Sequence, residues 1–240
     1  MKKILLLGSQ HGNELLGEKL YHHIKTNRPE LSKYISYKIG NLRAKKAGLR
    51  YIETDLNRSY NCGQKTYEQR RSKRIIQYIT DNQFDLVLDL HTTTCDQTPC
   101  IIIPSINPDN STFLNATFID KIIHMDIDVV NQSLIGTYPK SVSIEVSKKQ
   151  LKPGLLDKLA DDIDRYIKAE NNNRLAIVYQ VHDFIHKDKI SEELAAKLNN
   201  FELCNQGFYP VLVGEKSYKK QTNYLGFKAI NTYDYKIVKN

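Results

Sequence analysis

No stretch of this chain approaches the roughly 20 consecutive apolar residues that a membrane-spanning helix requires. The longest apolar run near the N-terminus covers residues 4–7, too short for the apolar core of an export signal despite the lysines before it. Four cysteines occur, at positions 62, 95, 100 and 204, and none forms a CxxC pair. Without an export signal they are expected as free thiols, not disulfides. Cys62 and Cys95 lie near the motifs described below, but sequence alone assigns neither a redox nor a catalytic role. Internal repeats and low-complexity tracts are absent. Arginine is missing between Arg74 and Arg165. These absences lead to the expectation of a cytoplasmic protein with no membrane partner.

What is present suits an ordinary folded protein: 240 residues, 40% hydrophobic and 26% charged. That length supports one substantial core, or a main domain with a small appendage. Lys and Arg number 35 against 27 Asp and Glu, a formal charge of +8. A basic chain can attract nucleic acid, anionic membranes or small acidic substrates. The excess is spread out except at residues 65–74, where Ile75, Ile76 and Ile79 behind the charges read as the inner face of a helix. Those charges are therefore expected on a solvated face, and no nucleic-acid partner is expected.

Strand and helix signals alternate. KKILLL (2–7) is short and apolar before Gly8-Ser9, as a buried strand is. Residues 12–25 carry Leu15, Leu16, Leu20, Tyr21 and Ile24 at helical spacing. YISYKIG (34–40) alternates like a strand, and FDLVLDLH (84–91) is apolar on both faces, the mark of a central strand. CIIIP (100–104), a mixed stretch to about 140, and SVSIEV (141–146) follow. Residues 153–170 form an amphipathic helix with Pro153 in its first turn. Beyond Asn171–Asn173 the chain reads as strands (RLAIVYQVHDFI, GFYPVLVG, YDYKIVKN) with one helical interruption near 191–199. The expected organisation is an α/β catalytic domain over 1–172 and a small β-rich domain over 173–240.

Four groups of residues carry chemistry. His11 and Glu14, three apart in a predicted first helical turn, project to one side and could share a cation; a solvent-facing polar turn would look the same. His91 ends a buried strand, where open α/β sheets place their sites. Two His and one Glu make a ligand set for catalytic zinc, which keeps a fourth position for water; a core histidine is the alternative. In RYIETDLNRSY (50–60), Arg50, Asn57 and Arg58 offer guanidinium forks and an amide that can grip a carboxylate or meet an oxyanion. A charged surface loop would have the same composition. In SVSIEVS the alternation puts Ser143, Glu145 and Ser147 on one face. Glu145 there either faces water or lines a cleft as general base and acid.

HGNE (11–14), RYIETDLNRSY (50–60), DLHTTT (89–94) and IEV (144–146), in this order, resemble the aspartoacylase/succinylglutamate desuccinylase family of the zinc carboxypeptidase-like superfamily. GFYPVLVGEKSYKK (207–220) brings the chain nearer to the aspartoacylases. The resemblance implies a three-layer α/β/α fold with a mixed central sheet and a C-terminal β domain that caps the cleft. It implies one Zn2+ per chain on His11, Glu14 and His91, with Arg50 polarising the scissile carbonyl. Asn57 and Arg58 would bind the substrate carboxylate, Glu145 would be base and then acid, and Tyr218 would contact substrate. The implied substrate is a small anionic N-acyl amino acid, N-acetyl-aspartate first, split to acetate and aspartate. A desuccinylase acting on succinylglutamate and a metallocarboxypeptidase are the alternatives. The family's arginine about ten residues before the catalytic glutamate is lacking: its place falls near Ile135. Lys140 could deputise as a less directional charge, and the lysine expected after Tyr218 would be Lys219 or Lys220. The chain is also shorter than typical members. A homo-oligomer is compatible with the sequence, which sets no copy number.

Overall fold

The computed structural model describes residues 2–236. A nine-stranded mixed sheet runs through the molecule in the order β2-β1-β3-β6-β4-β5-β7-β9-β8. In chain order the elements are β1 (Ile4–Gly8), α1 (Leu16–Asn27), β2 (Ile35–Ile39), α2 (Leu42–Ala47), α3 (Tyr67–Asn82), β3 (Leu86–Thr93) and β4 (Cys100–Ile103). There follow α4 (Pro108–Ala116), β5 (Lys121–Met125), α5 (Leu134–Thr137), β6 (Ser141–Ser147) and α6 (Pro153–Lys168). The chain ends in β7 (Ile177–His186), α7 (Glu192–Ala195), β8 (Tyr209–Val211), α8 (Lys216–Gln221) and β9 (Tyr224–Asp234).

Alternation along the central strands builds the layers. Ile4 and Leu6 of β1, Leu88 and Leu90 of β3, and Ile144 of β6 pack against Leu20 and Ile24 of α1 and Leu159 and Ile163 of α6. The intervening Leu5, Leu7 and Val87 face Ile75 and Ile79 of α3 and Leu134 of α5. A sheet buried on both faces by helices is the arrangement that parallel strands favour. Strands β2, β1, β3 and β6 are mutually parallel, so their carboxyl ends open at one edge, while β4 is antiparallel to β6.

Helix boundaries follow local chemistry. Thr66 and Gln69 form a reciprocal capping box on α3, Asn107 and Asn110 do the same on α4, and Pro153 starts α6. The first helix begins later than its apolar spacing predicts. Residues 11–14 form a turn closed by Glu14 N–H donating to the His11 carbonyl at 3.0 Å, and α1 starts only at Leu16. Ser9 adopts the left-handed region with φ 52°, and Gly12 packs on the Ala44 backbone so closely that a Cβ would lie 2.2 Å from it. That close approach holds the turn against α2 and prevents a helical start.

The strand expected at 84–91 runs to Thr93, so His91 lies within it. Residues beyond 172 enter the same sheet: β7 pairs in parallel with β5, and β9 and β8 extend it antiparallel. Of the predicted strand at 233–240, residues 233–234 close the longer β9, residues 235–236 are not strand, and residues 237–240 lie outside the described residues. No helix among the described residues is long and apolar enough to cross a membrane.

Candidate active site

All eight side chains singled out from sequence line one cavity: His11, Glu14, Arg50, Asn57, Arg58, His91, Glu145 and Tyr218. Together with its open mouth the cavity holds about 690 Å³ of space not filled by atoms. It opens at the carboxyl ends of β1, β3 and β6, where an open α/β sheet leaves a crevice.

Glu14 is the hub. Its Oε1 lies 2.7 Å from His11 Nδ1 and its Oε2 lies 2.9 Å from His91 Nδ1. The backbone N–H of Thr92 donates to the same Oε2 at 3.2 Å. The three side chains are buried, and their ligand atoms all fall within 4.8 Å of one another. Donors about 2.1 Å from one cation lie at most about 4.2 Å apart, so a small inward shift of these side chains would bring all three onto it. The second nitrogen of each imidazole lies beside another carboxylate: His11 Nε2 is hydrogen-bonded to Asp55 Oδ1 at 3.0 Å, and His91 Nε2 is 3.0 Å from Asp89 Oδ1, a close contact not aligned as a hydrogen bond. Carboxylates in that position fix the ring orientation of metal-ligating histidines, so the donor set fits a resident zinc.

Neither Asp55 nor Asp89 was singled out from the sequence. Asp89 lies two residues before His91 and shares its strand face. It is held in turn by Gln10 Nε2 at 2.7 Å, whose Oε1 accepts from the Tyr60 hydroxyl at 2.8 Å. Asp55 accepts from the backbone N–H of Asn57 and from Arg50 Nη2 at 3.2 Å. Burial opposes its ionisation, but His11, Arg50 and Arg58 hold it well below the usual carboxylate range. For Glu14 the same contest between burial and the two imidazoles ends with its pKa lowered. Burial works against protonation of His91, yet Asp89 and Glu14 raise it well above the ordinary value.

The 50–58 segment is anchored by α3. Glu68, fully buried there, accepts from the backbone N–H groups of Ile52, Glu53 and Thr54 and from Asn41 Nδ2. Arg71 donates to the carbonyls of Ile39 and Gly40, both at 2.6 Å. The basic helix expected to carry only a solvated charged face therefore also pins the loop that presents Arg50, Asn57 and Arg58. Arg50 is partly buried and reaches Glu14 Oε1 at 3.6 Å. Burial opposes its charge, but Asp55 and Glu14 raise its pKa further. The Asn57 side-chain oxygen is buried without a partner, a polar group held toward the cavity.

Glu145 is the register partner of His91 on the neighbouring strand. Ser143 and Glu145 face the cavity, while Val142, Ile144 and Val146 join the core on the other side. Burial pushes Glu145 up to about 8; Glu14 and Glu215 add to the rise, and His91 and Arg50 oppose it. Tyr218 comes from α8 and packs edge-on against Phe227. Glu215, also unforeseen, caps α8 and binds Thr93 and Thr94 just past His91.

The candidate substitutes for the missing arginine are elsewhere. Lys140 immediately precedes β6, at the end away from the cavity mouth and five residues from Glu145, roughly 16 Å along a strand. Lys219 and Lys220 are exposed on α8; Lys220 borders an outer groove beside Arg50 and Lys216. The cysteines are all unpaired. Burial pushes the Cys95 thiol up to about 12 and that of Cys100 well above its usual value, which keeps both protonated near neutrality.

A three-layer α/β/α sheet with a His/Glu/His cleft at its strand ends defines the class. A sequence profile of the succinylglutamate desuccinylase/aspartoacylase catalytic domain matches residues 1–143, and the chain belongs to that family. A probable aspartoacylase of Prochlorococcus marinus subsp. pastoris is 34% identical over 110 residues, 43% of this chain and 37% of that protein. Mouse aspartoacylase is 34% identical over 118 residues, 43% of this chain and 38% of its own length. The matched part thus spans under two fifths of these curated relatives. Among solved structures, murine aminoacylase 3 superposes with a TM-score of 0.69 at 19% identity, covering 98% of this chain and 97% of that one. Succinylglutamate desuccinylase from Chromobacterium violaceum gives 0.70 at 16%, covering 98% and 85%. At these identities the likeness is one of fold.

Proposed function

We propose that the protein is a zinc-dependent amidohydrolase that cleaves the amide bond of a small N-acyl amino acid, an aspartoacylase-like deacylase. The observation that carries this reading is the convergence of a His11/Glu14/His91 donor set, a carboxyl group raised toward neutrality and a guanidinium-amide pair in one cavity. Zinc held by His11, Glu14 and His91 would supply a Lewis acid that polarises the scissile carbonyl and acidifies water.

The chain's own groups do the rest. Glu145, kept basic by burial, takes the proton from the attacking water as its oxygen bonds to the carbonyl carbon. Arg50, fixed by Glu14 and Asp55, holds positive charge where the carbonyl oxygen becomes an oxyanion. Glu145 then gives the proton to the amide nitrogen as the C–N bond breaks, leaving a carboxylic acid and a free amine. Arg58 and Asn57 grip the substrate's carboxylate, which sets the carbonyl at the cluster and converts binding into orientation.

N-acetyl-aspartate, yielding acetate and aspartate, is the reference substrate that the ordered motifs suggest. Desuccinylation of succinylglutamate would keep these roles and change only the specificity wall. A carboxypeptidase would share zinc, Asn57 and Arg58, and release C-terminal residues from peptides. The test is amine release from a panel of N-acyl amino acids, with bound zinc measured in parallel. Zinc at one per chain with amide hydrolysis is expected. A protein that binds no zinc and instead binds oligonucleotides in a salt-sensitive way would refute the proposal.

A further inference from the structure

The cavity holds little positive charge. Among its described lining residues, Arg50 and Arg58 are the only lysines or arginines. Arg50 is engaged by Asp55 at 3.2 Å and Glu14 at 3.6 Å. Among the described residues the Arg58 guanidinium donates only to the Asn57 carbonyl, at 2.7 Å, and it is the cation left for a substrate carboxylate. Six further lining residues make an apolar wall: Ile102, Met125, Val130, Ile135, Leu212 and Phe227 line the cavity and belong to one hydrophobic cluster.

The polar groups on that side bring no positive charge. The Ser133 hydroxyl donates to the Val130 carbonyl at 2.6 Å and accepts from Gly136 N–H. Ser143 supplies a hydroxyl and Tyr218 a phenol. Gly136 packs so tightly that a Cβ would fall 2.1 Å from the Val130 oxygen, which locks the turn carrying Ile135. The remaining ionisable side chains of the lining, Glu14, Glu145 and Glu215, are acids, and His11 and His91 are turned to Glu14.

From this lining we infer that the substrate carries one carboxylate, held by Arg58, and an uncharged apolar amino-acid side chain that rests on the Ile102–Ile135–Phe227 wall. The inference rests on the hydrolase reading above and sets aside N-acetyl-aspartate as the preferred compound. A second carboxylate would lose its water against alkyl groups and acids with no cation to meet it. An alkyl or aromatic side chain would gain contact there, about tenfold or more per well-packed methylene.

The experiment compares N-acetyl-leucine, N-acetyl-methionine and N-acetyl-phenylalanine with N-acetyl-aspartate and N-acetyl-glutamate on the zinc-loaded protein. At least one apolar compound is expected to exceed both acidic ones by about 100-fold in kcat/KM. Calorimetric binding of the same compounds to Glu145→Gln should give the same order without turnover. Ile135→Arg should narrow the gap by tenfold or more through faster hydrolysis of N-acetyl-aspartate. Should that variant fail to fold, the wild-type panel still decides. Preference for an acidic compound in both turnover and binding would overturn the inference and leave the hydrolase reading standing. Hydrolysis of N-succinyl-glutamate with none of the five cleaved would likewise overturn the inference alone, and failure on all six compounds would overturn both.

Discussion

Glu215 joins two segments that are 121 residues apart, and its removal should be measurable. Its Oε2 accepts from Thr93 Oγ1 at 2.8 Å, Thr94 N at 2.8 Å and Thr94 Oγ1 at 3.0 Å. Its Oε1 accepts from Ser217 N at 3.1 Å and Ser217 Oγ at 2.9 Å, which caps α8. The cap contributes about 1 kcal/mol. The tether to the β3 loop, made of hydrogen bonds to a charged group, contributes about 1.5 kcal/mol or somewhat more, because water replaces part of what is lost. Glu215→Ala should therefore destabilise by about 2.5–3 kcal/mol, or lower Tm by about 5–10 °C for a chain of this size. Burial opposes ionisation of Glu215, yet the donors on Thr94, Thr93 and Ser217 lower its pKa below 4.5. A carboxylate lowered on folding stabilises above its unfolded value and loses that contribution as pH falls through the folded one. The gap between wild type and Glu215→Ala should thus be full at pH 7 and shrink below about pH 4.5. Thermal melts across that range provide the assay. A Tm change under about 1 °C at pH 7, or a gap that widens in acid, would refute the reasoning.

Three further outcomes follow from the site. Glu145→Gln should keep one zinc per chain while kcat falls by about 10²–10⁴-fold; near wild-type turnover would remove Glu145 from the mechanism. Asp55→Asn should weaken zinc affinity by about 10–100-fold in a chelator competition, since it leaves His11 without its orienting carboxylate; unchanged affinity would argue against that role. Arg58→Lys should raise KM by about tenfold or more with a smaller change in kcat, because a point charge replaces a two-pronged grip. An effect confined to kcat would place Arg58 at the reacting carbonyl instead.

The legible part of the site was local. Glu145 was assigned to a strand face by alternation, and that face is the one lining the cavity, because Val142, Ile144 and Val146 leave it no other side. His11 and Glu14 were paired by spacing, although the turn that presents them precedes the helix. Asp55 and Glu68 were read past because a carboxylate in a polar stretch carries no mark of its partner; the packing of the 50–58 loop on α3 supplies it for Glu68, and its approach to the His11 turn supplies it for Asp55. The charged run at 65–74 does lie on a solvated face at Lys65, Arg70, Lys73 and Arg74, and of its basic residues Arg71 alone departs from it by donating to the carbonyls of Ile39 and Gly40.

By itself, then, the sequence determined the chemistry on offer: the ordered motifs, the His/Glu/His donors, the Arg-Asn-Arg segment and the alternation that aims Glu145. These depend on residue type and on separations of a few residues, which backbone periodicity translates directly into direction. The tertiary structure alone decided what those groups meet. It turned Asp55 and Asp89 onto the two imidazoles, brought Glu215 across to Thr93, and ran β7, β9 and β8 on from β5 in one sheet. It also gathered Ile102, Met125, Val130, Ile135, Leu212 and Phe227 into an apolar wall about the place where the family's arginine is lacking. Such contacts join residues tens to hundreds of positions apart, and only strand pairing and core packing choose among them.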